Sequence, residues 1–261
     1  MELKKKYIAY LDILGFKDLV NNNTPERVYE LYDKVFFQIF TLSLSNGRVQ
    51  LFNRNDSKTL SMQIETEKIT VNSITISDSI IIWTDDNSMI SFTNIIEVVR
   101  TFLNYMFKTG IPLRGAIVEG YLDKISRTIV SPKDTSQTTL IGAGLVSAYL
   151  KEGMQSWSGC ILDESCINAY NEEIEKYKSI VKDILTIDSL VEKKFLLKYQ
   201  VPCKGQQLKE EVVINWTNID NVNFNEELII AKFSEYNKGI EKKEVKEKIK
   251  NTVDFVKYAS K

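Results

Sequence analysis

The sequence contains no histidine. That absence removes the Ser-His-Asp triad, the Cys-His pair, His-ligated zinc and a histidine general base together, so any chemistry must rest on carboxylates, Lys, Arg, hydroxyls or a bound ion. Cysteine is scarce as well: Cys160, Cys166 and Cys203 share no metal-ligand spacing and leave one over if two were paired, so they read as reduced thiols. Only 4 Pro and 11 Gly occur in 261 residues, with no low-complexity linker and no internal repeat, which argues against a disordered or fibrous chain. Neither sign of charge is in excess: 34 Lys+Arg against 35 Asp+Glu leave a net charge of −1, which gives no basis for bulk binding to nucleic acid or an anionic membrane. Long apolar runs are missing too, since stretches such as 79–84 and 111–113 fall far short of the ~20 residues that cross a bilayer. The basic start, Lys4-Lys5-Lys6, precedes an apolar stretch that Asp12 interrupts, and no small-residue cleavage site follows; a cytoplasmic protein is expected.

What remains is a chain that is 43% hydrophobic, enough to bury a real core. Residues 6–14 run apolar and aromatic until Gly15, which suits a central strand. Thr24-Pro25-Glu26 marks a helix start, and Val28, Leu31, Tyr32, Val35, Phe36 and Ile39 recur at helical spacing up to a stop before Asn46-Gly47. Strands are predicted at 60–64, 67–76 and 79–84, the last two joined by a tight hairpin at Ser77-Asp78-Ser79. A helix over 91–108 carries the stripe Ile95, Val98, Val99, Phe102, Leu103, Met106 and stops at Gly110, and a strand follows over 111–122. Residues 140–152 place Gly142, Ala143, Gly144 and Ala148 along one side, which suits a helix lying close on a sheet. Strands at 159–162, 195–201 and 211–216, an exposed helix at 171–185 and an amphipathic helix after Phe233 with Val245, Ile249, Val253 and Val256 on one side complete the reading. The order strand, helix, hairpin, helix, strand is that of a split βαβ: an α+β, ferredoxin-like palm with an antiparallel sheet, helices on one side and a C-terminal helical extension. We expect one elaborated palm domain over residues 1–218 and a helical tail over 219–261.

Two carboxylates fall where apolar residues belong. Asp12 shares a strand face with Ile8 and Tyr10, and simple alternation through the hairpin would put Asp78 on a face with Ile74, Ile76 and Ile80. A lone ionised carboxylate on a buried face costs several kcal/mol unless a cation or several donors compensate it. Oxygen ligands at a strand end and at a hairpin tip suit Mg²⁺ or Mn²⁺, with substrate phosphates completing the shell. The plainer reading, Asp12 capping the turn after it and Asp78 simply making the hairpin, stays open on pattern alone.

These residues resemble a family. Tyr10-Leu11-Asp12-Ile13-Leu14-Gly15-Phe16, then Ser77-Asp78-Ser79, then Arg114-Gly115-Ala116-Ile117-Val118-Glu119-Gly120 are similar, in order and placement, to the successive signatures of class III nucleotide cyclases. The closer resemblance is to the pyrimidine cyclases of the bacterial Pycsar antiphage systems, which share Gly142-Ala143-Gly144-Leu145-Val146-Ser147-Ala148-Tyr149 with Leu150 and Glu152, Trp157-Ser158-Gly159, and Val201-Pro202-Cys203-Lys204 followed by Val213-Ile214-Asn215-Trp216. It covers about residues 5–218. It implies attack of a ribose 3′-oxygen on the α-phosphate of a nucleoside triphosphate, with two Mn²⁺ or Mg²⁺ ions held by Asp12, Asp78 and the Ile13 carbonyl. It implies further that Gly15 and Phe16 turn the chain toward a helix start that receives phosphate, and that Lys204 and Arg114 are phosphate ligands. For Arg114 a structural ion pair is the competing role, and Glu119 and Glu152 read as solvated or structural.

The departures from the purine enzymes can be read position by position. The selector four residues before the second metal carboxylate, Lys or Glu in purine cyclases, is Ile74 here, and the second selector is Thr139; neither can make the charged contact to a purine edge. A pyrimidine triphosphate follows, UTP ahead of CTP, with Tyr10 as a base or ribose contact or as plain core. The Asn and Arg that bind ribose and transition state in purine enzymes are replaced at Val146 and Leu150. The family builds its sites between two palms, so the resemblance implies a homodimer, together with a separate effector that responds to the cyclic nucleotide in antiviral defence, none being fused to this chain. Two alternatives stand beside it: an inactive, nucleotide-binding regulatory palm, and a purine cyclase with an unusual pocket.

Overall fold

The computed structural model describes residues 4–44, 50–53, 60–63, 71–129, 135–179, 185–205, 207–220 and 222–261. In chain order the elements are β1 (Lys5–Ile13), α1 (Phe16–Asn21), α2 (Pro25–Glu30), a π-helical stretch Leu31–Phe36, α3 (Phe37–Leu44), β2 (Gln50–Asn53), β3 (Leu60–Gln63), β4 (Val71–Ile76), β5 (Ser79–Thr84), α4 (Met89–Lys108), β6 (Leu113–Tyr121), β7 (Asp123–Ile129), β8 (Thr135–Ile141), α5 (Ala143–Gly153), β9 (Gly159–Leu162), α6 (Glu164–Tyr177), α7 (Ile187–Glu192), β10 (Leu196–Cys203), β11 (Gln207–Ile214), α8 (Glu226–Ser234) and α9 (Lys243–Ala259). Seven strands form one sheet in the order β10-β11-β9-β6-β1-β5-β4, every pair antiparallel except β6 with β9. Its β6-β1-β5-β4 half is the fourth, first, third and second strand of a split βαβ, the expected α+β palm.

Local chemistry explains the boundaries. The Thr24 hydroxyl accepts the Arg27 N–H with Pro25 at the first helical position, and Ser88 caps α4 through the Ser91 N–H. Asp163 caps α6 through the Ser165 N–H, so this helix begins earlier than the expected 171. Asn215 and Trp216, expected in a strand, follow β11 because the Asn215 side-chain oxygen accepts the Thr217 N–H and its carbonyl accepts from the buried Arg100 guanidinium. The expected stop at Asn46-Gly47, residues 64 and 67–70 of the expected strands and residues 180–184 of the expected helix lie outside the described residues.

The two faces of the sheet are dressed differently. Tyr7, Ala9, Leu11 and Ile13 of β1 point into the main core with Phe92, Phe102 and Met106 of α4, whereas Ile8, Ile81, Trp83, Val118 and Ala148 form a smaller cluster on the opposite face. The palm's helices α3 and α4 lie on one side as expected, while α5 adds a helix to the other. Its approach depends on paired glycines: a Cβ on Gly120 would stand 2.8 Å from the Gly144 Cα, closer than real side chains come. Simple alternation through the β4–β5 hairpin fails, because the two-residue turn shifts the parity. Ile74 pairs with Ile81 on the α5 side, while Ile80, opposite Leu11, enters the main core. Asp78 itself sits in the turn rather than on a strand face.

The C-terminal helices join the main core. Phe255 of α9 is fully buried and meets the rings of Trp157 at 4.6 Å, Tyr199 at 5.2 Å and Trp216 at 6.1 Å. We expect Phe255→Ala to cost about 3–5 kcal/mol in urea unfolding; an unchanged midpoint would show α9 to be outside the cooperative unit.

Candidate active site

β1 is hydrogen-bonded on both flanks, which puts Asp12 opposite Ser79 of β5 and Arg114 of β6 at once. Just beyond, the Ile13 N–H donates to the Asp78 carbonyl at 3.1 Å and the Leu14 N–H to the Pro112 carbonyl at 3.0 Å, so the strand end and the hairpin tip are tied together. Asp12 and Asp78 therefore neighbour each other, both half-buried. Ile13 is buried in its side chain, and its role in the expected site concerns the backbone alone.

Asp12 is under electrostatic load. Its carboxyl is pushed up to about 6, first by burial, then by the charge of Glu152 and, less, of Asp78, with Arg114 pulling the other way. Arg114 is nearly buried: Nε is hydrogen-bonded to Glu152, Nη1 donates to the Gln155 carbonyl at 2.8 Å, and Nη2 lies 3.6 Å from Asp12. Its guanidinium is thus committed mainly to Glu152, which is itself buried as a structural partner. No hydrogen bond or ion pair reaches the Asp78 carboxylate among the described residues.

The other expected residues gather around this pair. Tyr10 shares the α5 face, its hydroxyl 2.6 Å from the Ser79 hydroxyl and its ring edge-on to Tyr149 of α5 at 5.5 Å; burial raises its phenol above the ordinary value. Gly15 adopts φ 80° at the start of the six-residue α1, a conformation that favours glycine, and the Lys238 side chain leaves no room there for a Cβ. Phe16 is half-buried with its ring edge-on to Tyr32 at 6.4 Å. Lys204 is exposed in the β10–β11 turn, where its N–H donates to the Met154 carbonyl at 2.8 Å. Ile74 packs against the α5-side cluster, and Thr139 is exposed on β8.

Two neighbours were not read from the sequence. The Tyr32 hydroxyl donates to the Ser77 carbonyl at 2.8 Å, next to Asp78, and burial with the Asp78 charge pushes its phenol up to about 12. Lys248 of α9 lies within electrostatic reach of Asp12, Glu152, Arg114 and Lys204. It heads the buried series Thr252, Phe255 and Ala259, a helical spacing that in retrospect points it inward.

No group of three or more Cys, Asp or Glu residues arranged to hold a metal occurs among the described residues. Two carboxylates nonetheless fit a Mg²⁺ or Mn²⁺ ion whose shell is completed by substrate phosphate and water. The fit rests on Asp12, desolvated and crowded by like charge, and on Asp78, without a donor of its own.

Neither a protein-family model nor a curated protein sequence matches the chain. Among solved structures it is similar to the guanylate cyclase domain of RhGC from Catenaria anguillulae in complex with GTP, at 11% identity over 82% of this chain and 98% of that chain, with a TM-score of 0.49. It is similar also to the adenylyl cyclase CyaB from P. aeruginosa, at 12% identity over 82% and 95% with a TM-score of 0.45, and to the guanylyl cyclase domain of the RhoGC fusion protein from Blastocladiella emersonii, at 12% over 65% and 84% with a TM-score of 0.44. At these identities the likeness assigns no residue and no activity to this chain. No helix of the described residues is long and apolar enough to cross a membrane.

Asp12 titrates higher in the folded chain than its ordinary 3.8, so the native state holds the extra proton and metal-free protein loses stability as pH rises from 3.8 through about 6. Above that window, in EDTA, Asp12→Asn should melt a few degrees higher than wild type, and Mn²⁺ should raise only the wild-type melting temperature. A variant that melts lower at every pH would make Asp12 a structural residue.

Proposed function

We propose that this protein is a nucleotide cyclase, converting a pyrimidine nucleoside triphosphate, UTP ahead of CTP, to its 3′,5′-cyclic monophosphate and pyrophosphate. The observation that carries the reading is the juxtaposition of Asp12 and Asp78, two half-buried carboxylates lacking donors to match their charge. The ordered motifs around them, with their resemblance to class III and Pycsar cyclases, supply the reaction.

Two Mn²⁺ or Mg²⁺ ions bound by Asp12, Asp78 and the Ile13 carbonyl would neutralise charge on the non-bridging phosphate oxygens and acidify the 3′-hydroxyl, which is why a chain without histidine needs no other base. The protein's own work is positional. The Ile13–Asp78 bond holds the hairpin tip against β1, and the Tyr32–Ser77 bond holds it to the π-helical stretch. Glu152 holds Arg114 beside Asp12, so the carboxylate keeps one aim. The left-handed turn at Gly15 leads the backbone from β1 into α1, and the place a side chain would take there is filled by Lys238.

Base choice follows from what is missing. Ile74 and Thr139 offer no charged partner for a purine edge, and a purine left unpaired there would be disfavoured strongly. The exposed apolar face of α5, with Val146 57% and Leu150 60% exposed beside Tyr149, supports a second copy of the chain as partner, since patches of this kind mark contact surfaces. The same two positions lack the Asn and Arg of purine cyclases, which favours an inactive regulatory palm as the second reading. On the first reading the product would signal, in antiviral defence, to a separate effector.

The test is product formation from each of the four ribonucleoside triphosphates with Mn²⁺. Cyclic UMP or cyclic CMP is expected, with a loss of about 100-fold or more in Asp12→Ala and Asp78→Ala. Cyclic AMP or cyclic GMP would overturn the base assignment, and no product from a protein that still binds nucleotide would favour the regulatory palm. In light scattering, Leu150→Glu should convert a dimer to a monomer; a wild-type protein that is already monomeric would sink the dimer.

A further inference from the structure

We infer that Lys248 of the C-terminal helix α9, acting with Lys204, binds the terminal phosphates of the nucleotide, so that the tail contributes a substrate-binding residue to the site. The inference rests on the nucleotide reading above and assigns a residue that the cyclase-like motifs do not contain.

The argument starts from how α9 is docked. The Asn251 side chain donates to the Ser156 carbonyl at 2.6 Å, and the Ser158 N–H donates to the Thr252 hydroxyl at 2.9 Å. These contacts fasten α9 to the segment that also supplies the Gln155 carbonyl to Arg114, and the Ser158 hydroxyl donates in turn to the Leu113 carbonyl at 2.9 Å, next to Arg114. Lys248 lies one turn before Thr252, whose hydroxyl bonds back to the Lys248 carbonyl at 2.7 Å. Its half-buried side chain therefore belongs to the same end of β6 and β9 as the site.

Glu152 is matched by Arg114, which leaves the Lys204 and Lys248 ammonium groups without an ion pair among the described residues, and Asp12 with only the 3.6 Å approach of Arg114. No hydrogen bond or ion pair engages the Lys248 ammonium among the described residues, although Lys and Glu abound elsewhere on α9. Burial, Arg114 and Lys204 make its charge harder to hold, in that order, and the charges of Asp12 and Glu152 offset this only in part. Two ammonium groups brought near each other by separate elements, neither paired with a carboxylate among the described residues, form a receptor for a multivalent anion. Beside a carboxylate pair suited to divalent ions, the anion that fits is a polyphosphate.

The probe is inorganic tripolyphosphate, which carries the phosphate chain without base or ribose. Binding by calorimetry in the presence of Mn²⁺ should weaken tenfold or more in Lys248→Met, partly recover in Lys248→Arg, and stay at the wild-type value in Lys250→Met, whose side chain is exposed on the same helix. Lys248→Met should melt at or above wild type, because it removes a charge that burial disfavours and that Arg114 and Lys204 repel, against the weaker pull of Asp12 and Glu152. Wild-type protein that fails to bind tripolyphosphate, or Lys248→Met that binds it as wild type does, overturns the inference. So does a Lys248→Met protein that melts well below wild type without rescue by arginine, since that places the lysine in the scaffold. Turnover separates this inference from the activity: cyclic product with a wild-type KM from Lys248→Met sinks the anion site and leaves the cyclase. Tripolyphosphate binding lost in Lys248→Met, from a protein that turns over no triphosphate, supports the anion site and sinks the cyclase.

Discussion

β1 is paired on both edges, and that double pairing decides where the charge of Asp12 must sit. Its neighbours across the sheet are Ser79 and Arg114, its strand face is shared with Ile8 and Tyr10, and its carboxyl stays only 24% exposed. An inward-facing carboxylate is expensive, and the chain compensates it incompletely: Arg114 stands 3.6 Å away but belongs first to Glu152. The consequence is a carboxyl that holds its proton to about pH 6 when nothing else is bound. A fold that needed this side chain only for stability would have supplied donors, as it does for Asp163, whose carboxylate accepts the Ser165 N–H and pairs with Lys151.

The C-terminal tail bears on the same site from two directions. Lys238 lies against Gly15 and donates to the Gly110 carbonyl at 2.6 Å, while Asn237 and Tyr236 exchange hydrogen bonds with Asn22 and Asn23 just after α1. The turn that follows β1 is thereby held from outside as well as by its own backbone. Farther along, α9 fastens the segment 155–158 and brings Lys248 inward. The two contacts hold the turn after β1 and the segment beside Arg114, so anything that loosened the tail would disturb both the turn and the placement of Lys248.

Much of this was legible in the sequence because it is local. The apolar run ending at Gly15, the Thr24-Pro25 start, the hairpin at Asp78 and the stripe of α4 each carry their own chemistry within a few residues. Asp12 and Asp78 stood out for the same reason, as carboxylates at the end of an apolar strand and at the tip of an apolar hairpin. The parity across the hairpin was misread because alternation was carried through a two-residue turn, where Ser77 takes φ 57° and the strand faces change over. The commitment of Arg114 to Glu152 depends on α5 crossing the sheet, which no spacing reveals. Lys248 was invisible for a stronger reason: it is 236 positions from Asp12 in a helix rich in lysine, and only the docking through Asn251 and Thr252 distinguishes it from its solvated neighbours.

The sorting of charge also narrows what the site can receive. A simple cation would relieve Asp12 and Asp78 yet add to the repulsion felt by Lys204 and Lys248, and a simple anion would do the reverse. A ligand that carries both signs, divalent ions bound along a phosphate chain, relieves both ends at once, and each half strengthens the binding of the other because it screens the opposing charge. The carboxylate pair and the lysine pair are thus two opposite accumulations of charge that one kind of molecule would satisfy. If the site is that of a nucleotide cyclase, as proposed, metal and nucleotide would bind interdependently: the affinity for either, measured alone, would understate what the site achieves with both.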